Sequence, residues 1–163
     1  MRRLCVWIAT GFGLGYSPVA SGTVGALLGL PLVWLMARQP VAVQIVFVLL
    51  LTLVCIPICS VAERELGGRK DDGRIVADEY LTFPICAIGL PWLESGNWWM
   101  LAVAFVVNRL MDIIKPFPAW RLQNLPGGLG ITIDDAIASL YALGINWLIC
   151  GWLVQHIIPR LAY

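Results

Sequence analysis

Asp78, Glu79, Asp112, Asp134 and Asp135 stand at the rims of long uncharged stretches of this chain. An acid at the edge of an apolar span is costly to hold there and normally has a partner or a cation. Four of the five come as adjacent pairs, Asp78-Glu79 and Asp134-Asp135, and neighbouring carboxylates repel unless positive charge lies between them. A hard cation such as Mg2+ takes oxygen ligands, usually one or two carboxylates plus phosphate oxygens. It also neutralises a phosphoryl group and makes a water more acidic. The five acids are therefore expected to be catalytic metal ligands for phosphate chemistry at a membrane surface. Helix capping or pairing with Arg74, Arg109 or Lys115 could account for one acid such as Asp134, but repeated pairs are harder to explain that way.

Two further constellations accompany the acids. Arg109, Asp112 and Lys115 recur every three residues, which puts them along one helix face. There Asp112 can bind metal while Arg109 and Lys115 approach phosphate oxygens, and Pro116 and Pro118 end the helix. The glycine-rich run from Gly11 to Gly25 contains Ser21 and Thr23, either of which can cap a following helix whose start favours phosphate. Phosphate contact and close packing between helices explain its glycines equally well, while Thr23 leans towards phosphate. Arg121 is a weaker candidate for a second phosphate on the same ligand. His156, the only histidine, falls at the far end of the last apolar run.

The elements that carry these residues are membrane helices. The chain is 60% hydrophobic and 13% charged, with a mean hydropathy of +0.82, whereas ordinary soluble domains are about a quarter charged. We expect an all-α, polytopic membrane helical bundle forming a single domain over residues 1–163. About five spans are predicted: Val24–Met36, Val41–Val61, Ile75–Leu93, Trp98–Ile114 and Ile133–Ile157, with Leu4–Gly13 as an additional short or interfacial N-terminal helix. Trp7, Trp34, Trp92, Trp98, Trp99, Trp120 and Trp152 fall near the span ends, as an interfacial belt requires. The charged loop from Glu63 to Asp72, with Lys70 and Asp71, reads as solvated. Alternating the spans collects nine of the eleven Lys and Arg residues on one face, leaving Arg38 and Arg160 opposite. By the positive-inside rule that face is cytoplasmic, and it also carries all five acids, so a catalytic cleft is expected there. The runs Tyr80–Leu93 and Ser95–Asn108, at about 1.5 Å per residue, are too short to cross alone. Their helices must extend into the charged flanks, with Asp78 and Glu79 in a first turn, Asp112 in a last turn, and Asp134-Asp135 beginning the final helix.

Several classes are excluded. Net charge is +1 and no basic run interleaved with aromatics suggests nucleic acid. Cys5, Cys55, Cys59, Cys86 and Cys150 lie mostly in apolar runs without zinc-site company, and Arg2-Arg3 opens no cleavable signal peptide. A cysteine-phosphatase loop fails because Arg64 follows Cys59 one residue too soon, and a single histidine cannot supply a two-histidine lipid phosphatase. Asp71-Asp72-Gly73 offers no aspartyl-phosphate start, and Asp72-Gly73 does not continue as a cytidine-lipid phosphatidyltransferase. Direct attack by metal-activated water is the route left.

The stretches Gly11–Gly25, Asp78-Glu79, Arg109–Pro118 and Gly127–Asp135, in that order along nearly the whole chain, resemble the bacterial phosphatidylglycerophosphatase A family. The resemblance implies a Mg2+-dependent lipid phosphatase of the bacterial inner membrane, converting phosphatidylglycerophosphate to phosphatidylglycerol and phosphate. Its carried-over positions are Thr23, Asp78, Glu79, Arg109, Asp112, Lys115, Asp134 and Asp135. Thr132 and Ser139 depart from the pattern, where Met and Gly are usual. The rival reading is a small membrane cation carrier or binding protein using the same acids. Homo-oligomerisation is left open.

Overall fold

A computed structural model describes residues 1–69, 72–91 and 99–156. The described residues form helices joined by turns, with no strand among them. In chain order they are α1 (Arg2–Ala9), a 3-10 turn (Gly11–Tyr16), α2 (Ser21–Ala26), α3 (Gly29–Met36) and α4 (Val41–Glu65). Then follow α5 (Ala77–Thr82), a second 3-10 turn (Phe83–Ala87), α6 (Trp99–Ile114), α7 (Ala119–Leu122) and α8 (Gly128–His156). The short N-terminal helix α1 is thus an element of its own, packed against α4.

Helices α4 and α8 form the frame. Among the described residues, Val41–Glu65 and Gly128–Trp152 are long and apolar enough to cross a bilayer. Only 22% of the most apolar window of α4 is buried, and Val43, Val46, Leu50 and Val54 stand out on its surface. Such a face suits hydrocarbon and is a liability in water. Pro40 precedes α4 at its N-cap, while Pro57 removes one ladder donor inside it.

The predicted span Ile75–Leu93 is the largest departure from expectation. Through Leu90 it is a six-residue helix, a five-residue 3-10 turn and a further turn, and nearly every residue of it is buried. Residues 92–98, including Trp92 and Trp98, lie outside the described residues. Pro84 sits in the first turn of the 3-10 segment and Gly89 adopts a positive φ, so the helix cannot continue. Broken backbone at membrane depth survives only where protein satisfies it. Here Asn146 Nδ2 donates to the Cys86 carbonyl at 3.0 Å, Trp147 Nε1 donates to that of Ile88, and Gln44 Oε1 accepts the Gly89 N–H at 2.8 Å. From Tyr80 onward the stretch lacks charge because it is the centre of the molecule, around Phe83, Cys86 and Leu90. A second apolar cluster gathers Ala9, Cys55, Val76 and Tyr80.

The other predicted spans also shorten. Val24–Met36 divides into α2 and α3 at a turn through Leu27 and Leu28. Helix α6 has 16 residues, about 24 Å of rise. Two span-length helices among the described residues therefore replace the five expected. Of the tryptophan belt, Trp7, Trp34, Trp99, Trp120 and Trp152 are exposed.

Candidate active site

Three backbone elements bring the acids together. Asp78 and Glu79 occupy the first turn of α5, where carboxylates oppose the helix dipole favourably. That turn is anchored by the Val76 N–H, which donates to the Ala9 carbonyl at 2.8 Å, and by Tyr80, whose hydroxyl donates to that of Ile8. Asp112 lies in the last turn of α6. Asp134 and Asp135 lie about two turns inside α8, because that helix begins at Gly128 rather than at the acids. Helix capping therefore does not explain them, although both are buried.

Ser21, Gly73, Ile75, Asp78, Glu79, Asp112, Ile113, Lys115, Asp134 and Asp135 line one cleft of about 260 Å³. All five predicted acids are present, together with Lys115 and Ser21. Thr23, Arg109 and Arg121 do not line it. The volume is below the usual range of drug-sized ligand pockets and suits a compact charged group.

Two cations hold Glu79, Asp112 and Asp134. Arg109 Nη1 lies 2.9 Å from Asp112 Oδ2 and 3.3 Å from Glu79 Oε2, tying α6 to α5. Its Nε is buried without a hydrogen-bond partner among the described residues, which leaves a donor for a further acceptor. Lys115 Nζ lies 2.6 Å from Asp134 Oδ2 and donates to Gln123 Oε1 at 3.3 Å. Lys115 closes α6, its N–H still bonded to the Met111 carbonyl, with φ of +46°. A non-glycine residue held there costs on the order of 1–3 kcal/mol and persists only where the surroundings enforce it. Pro116 prevents the helix from continuing. Burial works against the Lys115 charge. The hydrogen bond to Asp134 and the charges of Asp134, Asp135 and Asp112 outweigh it, keeping the amine protonated well above the ordinary lysine value.

The donor chemistry fits a hard divalent cation. Five carboxylates meet two cations, a formal excess of three negative charges. Asp135 lies within the electrostatic field of Asp78, Asp112 and Asp134. Among the described residues, no three Asp, Glu, His or Cys side chains form a ready-made ligating group. Instead, oxygens of Glu79, Asp112 and Asp134 are engaged by Arg109 and Lys115. The residue types suit Mg2+, and their present arrangement is that of acids paired with protein cations.

Gly22 and Gly25 of the glycine run, and Gly29 after it, pack closely against the segment that carries the first acid pair. A Cβ at Gly22 would collide with the Glu79 carboxylate, one at Gly25 would meet Val76 at 2.5 Å, and one at Gly29 would meet Phe83 at 2.7 Å. Their missing side chains let α2 and α3 press against α5 and set the position of Glu79. Arg121 lies over the rings of Phe117 and Trp120, 5.3 and 5.0 Å from their centroids.

Sequence reasoning missed two contributors. Gln123 steadies Lys115, and no sequence signal marked it. The loop before α5 is the other. Asp72 is buried, not solvated, and Arg74 binds it through Nε at 2.8 Å and Nη2 at 2.6 Å while also reaching the Leu66 carbonyl. These hydrogen bonds hold the Asp72 carboxyl down to about 2. Arg74 thus pairs with Asp72 rather than with a cleft acid. The Arg74 N–H also donates to Asp72 Oδ1 at 3.0 Å, an Asx turn for which Asp72-Gly73 was the available signal. Ser21 Oγ donates to the Gly73 carbonyl at 2.8 Å, locking this loop to α2. Glu63 and Glu65 belong to α4. Lys70, Asp71 and the side chain of His156 lie outside the described residues. The two departures from the family pattern stay in the core: Thr132 donates to Cys55 Sγ at 3.4 Å and Ser139 is buried, and neither lines the cleft.

The chain is 35% identical over 143 residues to phosphatidylglycerophosphatase A of Escherichia coli (strain K12), covering 87% of this chain and 81% of that protein. It is 34% identical to phosphatidylglycerophosphatase A of Haemophilus influenzae, covering 90% and 89%. It is also 34% identical to a Bacteroides thetaiotaomicron protein provisionally named a phosphatidylinositol-3-phosphatase, covering 85% and 89%. No solved structure matches it. The family model described as phosphatidylglycerophosphatase A matches residues 7–150, a stretch that contains every acid and cation of the cleft, and this chain belongs to that family.

Proposed function

We propose that this protein hydrolyses the terminal phosphate monoester of phosphatidylglycerophosphate, giving phosphatidylglycerol and inorganic phosphate in phospholipid biosynthesis. The observation that carries this reading is the family match across a region holding one cleft lined by five acids and Lys115. A provisional inositol-lipid phosphatase among the relatives is also named for a lipid phosphate monoester. Nothing in the cleft favours a cation carrier instead.

Asp78, Glu79, Asp112, Asp134 and Asp135 would hold Mg2+. Bound there, the ion supplies charge neutralisation at phosphorus and acidifies water. Lys115 and Arg109 bind and orient the terminal phosphate, exchanging part of their contact with Asp134, Asp112 and Glu79 for phosphate oxygens. Charge-assisted bonds of this kind are roughly twice as strong as neutral ones. Ser21 offers a hydroxyl at the same wall, Thr23 sits behind it on α2, and Arg121 serves the glycerol-linking phosphate. Water adds at phosphorus as the bond to the glycerol oxygen breaks. Asp78, Asp134 and Asp135, buried on packed helices, help keep that geometry from relaxing. With α4 and α8 crossing, and α2–α3 and α6 embedded more shallowly, the enzyme is a multi-pass protein of the bacterial inner membrane. The basic residues around the cleft support a cytoplasmic-facing site by the positive-inside rule.

The test is phosphate release from phosphatidylglycerophosphate by purified protein with Mg2+, with chelator, and in Asp78→Asn and Asp134→Asn variants that insert normally. Chelation should abolish release, and each variant should lose on the order of 100-fold, since even residues supporting metal ligands are worth 10–100-fold. Full activity in both variants would remove the metal assignment.

A further inference from the structure

Helix α6 has two apolar faces, and only one is explained by packing. Met100, Ala104 and Asn108 are buried. Val106, Leu110 and Ile113, spaced by four and three residues, form a second stripe that is 55%, 49% and 73% exposed. This stripe ends in the site, because Ile113 is also part of the cleft wall. The other apolar wall residue, Ile75, is buried. Hydrocarbon can therefore approach the acids over the end of α6. A neighbouring polar groove, lined by Tyr16, Ser17, Asp72 and Arg74, shares Ser21 and Gly73 with the cleft and includes no residue of α6.

Charge is arranged to match a lipid lying along that stripe. Beyond Ile113 the chain presents Lys115, then Arg121 over the Phe117 and Trp120 rings. Gln123 ties Lys115 to the Trp120 backbone by accepting from Lys115 and donating to the Trp120 carbonyl. Apolar contacts thus give way to cationic ones in the order in which a phospholipid's acyl chain gives way to its phosphates. Resting on the phosphatase reading above, we propose that the Val106–Leu110–Ile113 stripe is a substrate track: it seats one acyl chain of the lipid and delivers the headgroup into the cleft beside Ile113.

The track differs from the exposed face of α4 in leading to the cleft, and the experiment exploits that difference. Dihexanoyl and dioleoyl phosphatidylglycerophosphate are compared in the same mixed micelles with wild type, Leu110→Asn, the milder Leu110→Ala, and Leu53→Asn on α4. Wild type should gain in kcat/KM with chain length. Leu110→Asn should lose about fivefold of that gain through KM, by removing one leucine-sized apolar contact, and Leu110→Ala should lose less. Leu53→Asn should keep the whole gain. Equal losses at 110 and 53, equal losses on both substrates, or a wild type indifferent to chain length would each overturn the track. Absence of phosphate release from either substrate in wild type would instead overturn the phosphatase reading itself.

Discussion

Glu79 leans into the space that Gly22 leaves empty, and Arg109 grips it from the other side. A methyl group at position 22 must displace that carboxylate, whereas Gly144 on α8 has no atom near its missing Cβ. Gly22→Ala should therefore push the Glu79 carboxylate aside at little cost in stability, because that group is the far end of a flexible side chain, and should lower activity. Gly144→Ala should be neutral or gain about 0.5–1 kcal/mol from reduced backbone freedom. Thermal unfolding in detergent beside phosphate release separates the two, and a silent Gly22→Ala would contradict the contact. Lys115 follows a similar logic: its left-handed backbone is an unfavourable choice that places its amine on Asp134.

The loop joining α4 to α5 behaves as one titratable unit. Asp72, held low by Arg74, binds its proton less readily when folded than in the unfolded chain. Its contribution is therefore fully present above the ordinary carboxylate value near pH 4 and fades as pH falls towards about 2. Melting curves of wild type and Asp72→Asn should differ at neutral pH and converge below about pH 2, and a constant gap would refute the pairing. The loop also shows where sequence reading reached and where it stopped. Adjacent acids and the three-residue spacing on α6 were legible, because repulsion and helix periodicity act locally. The positions of Asp78, Glu79 and Asp112 at helix ends followed from run length. Hydropathy could not distinguish Tyr80–Leu90 from part of a span, since a buried core segment and a lipid-facing helix both exclude charge. Nor could spacing decide whether the glycines faced phosphate or packed, because that depends on Val76 and Phe83, some fifty residues away.

Around the buried centre, α4 turns its apolar face outward. A cysteine introduced at Leu53 should resist a membrane-impermeant maleimide in sealed vesicles and react once the vesicles are dissolved in detergent. Ready labelling in intact vesicles would deny that face its lipid contact. Parts of the chain far apart in sequence meet at the cleft. Asp78 and Glu79 lie on a segment whose broken backbone is satisfied by Asn146 and Trp147 of α8, and α8 also brings Asp134 and Asp135. A ribosome releasing this chain thus delivers Asp78 and Glu79, and then Asp112, before the helix that completes the set. Until α8 docks, the earlier pair has neither its opposing wall nor its shelter, so catalytic competence arrives late in biosynthesis, as a single event.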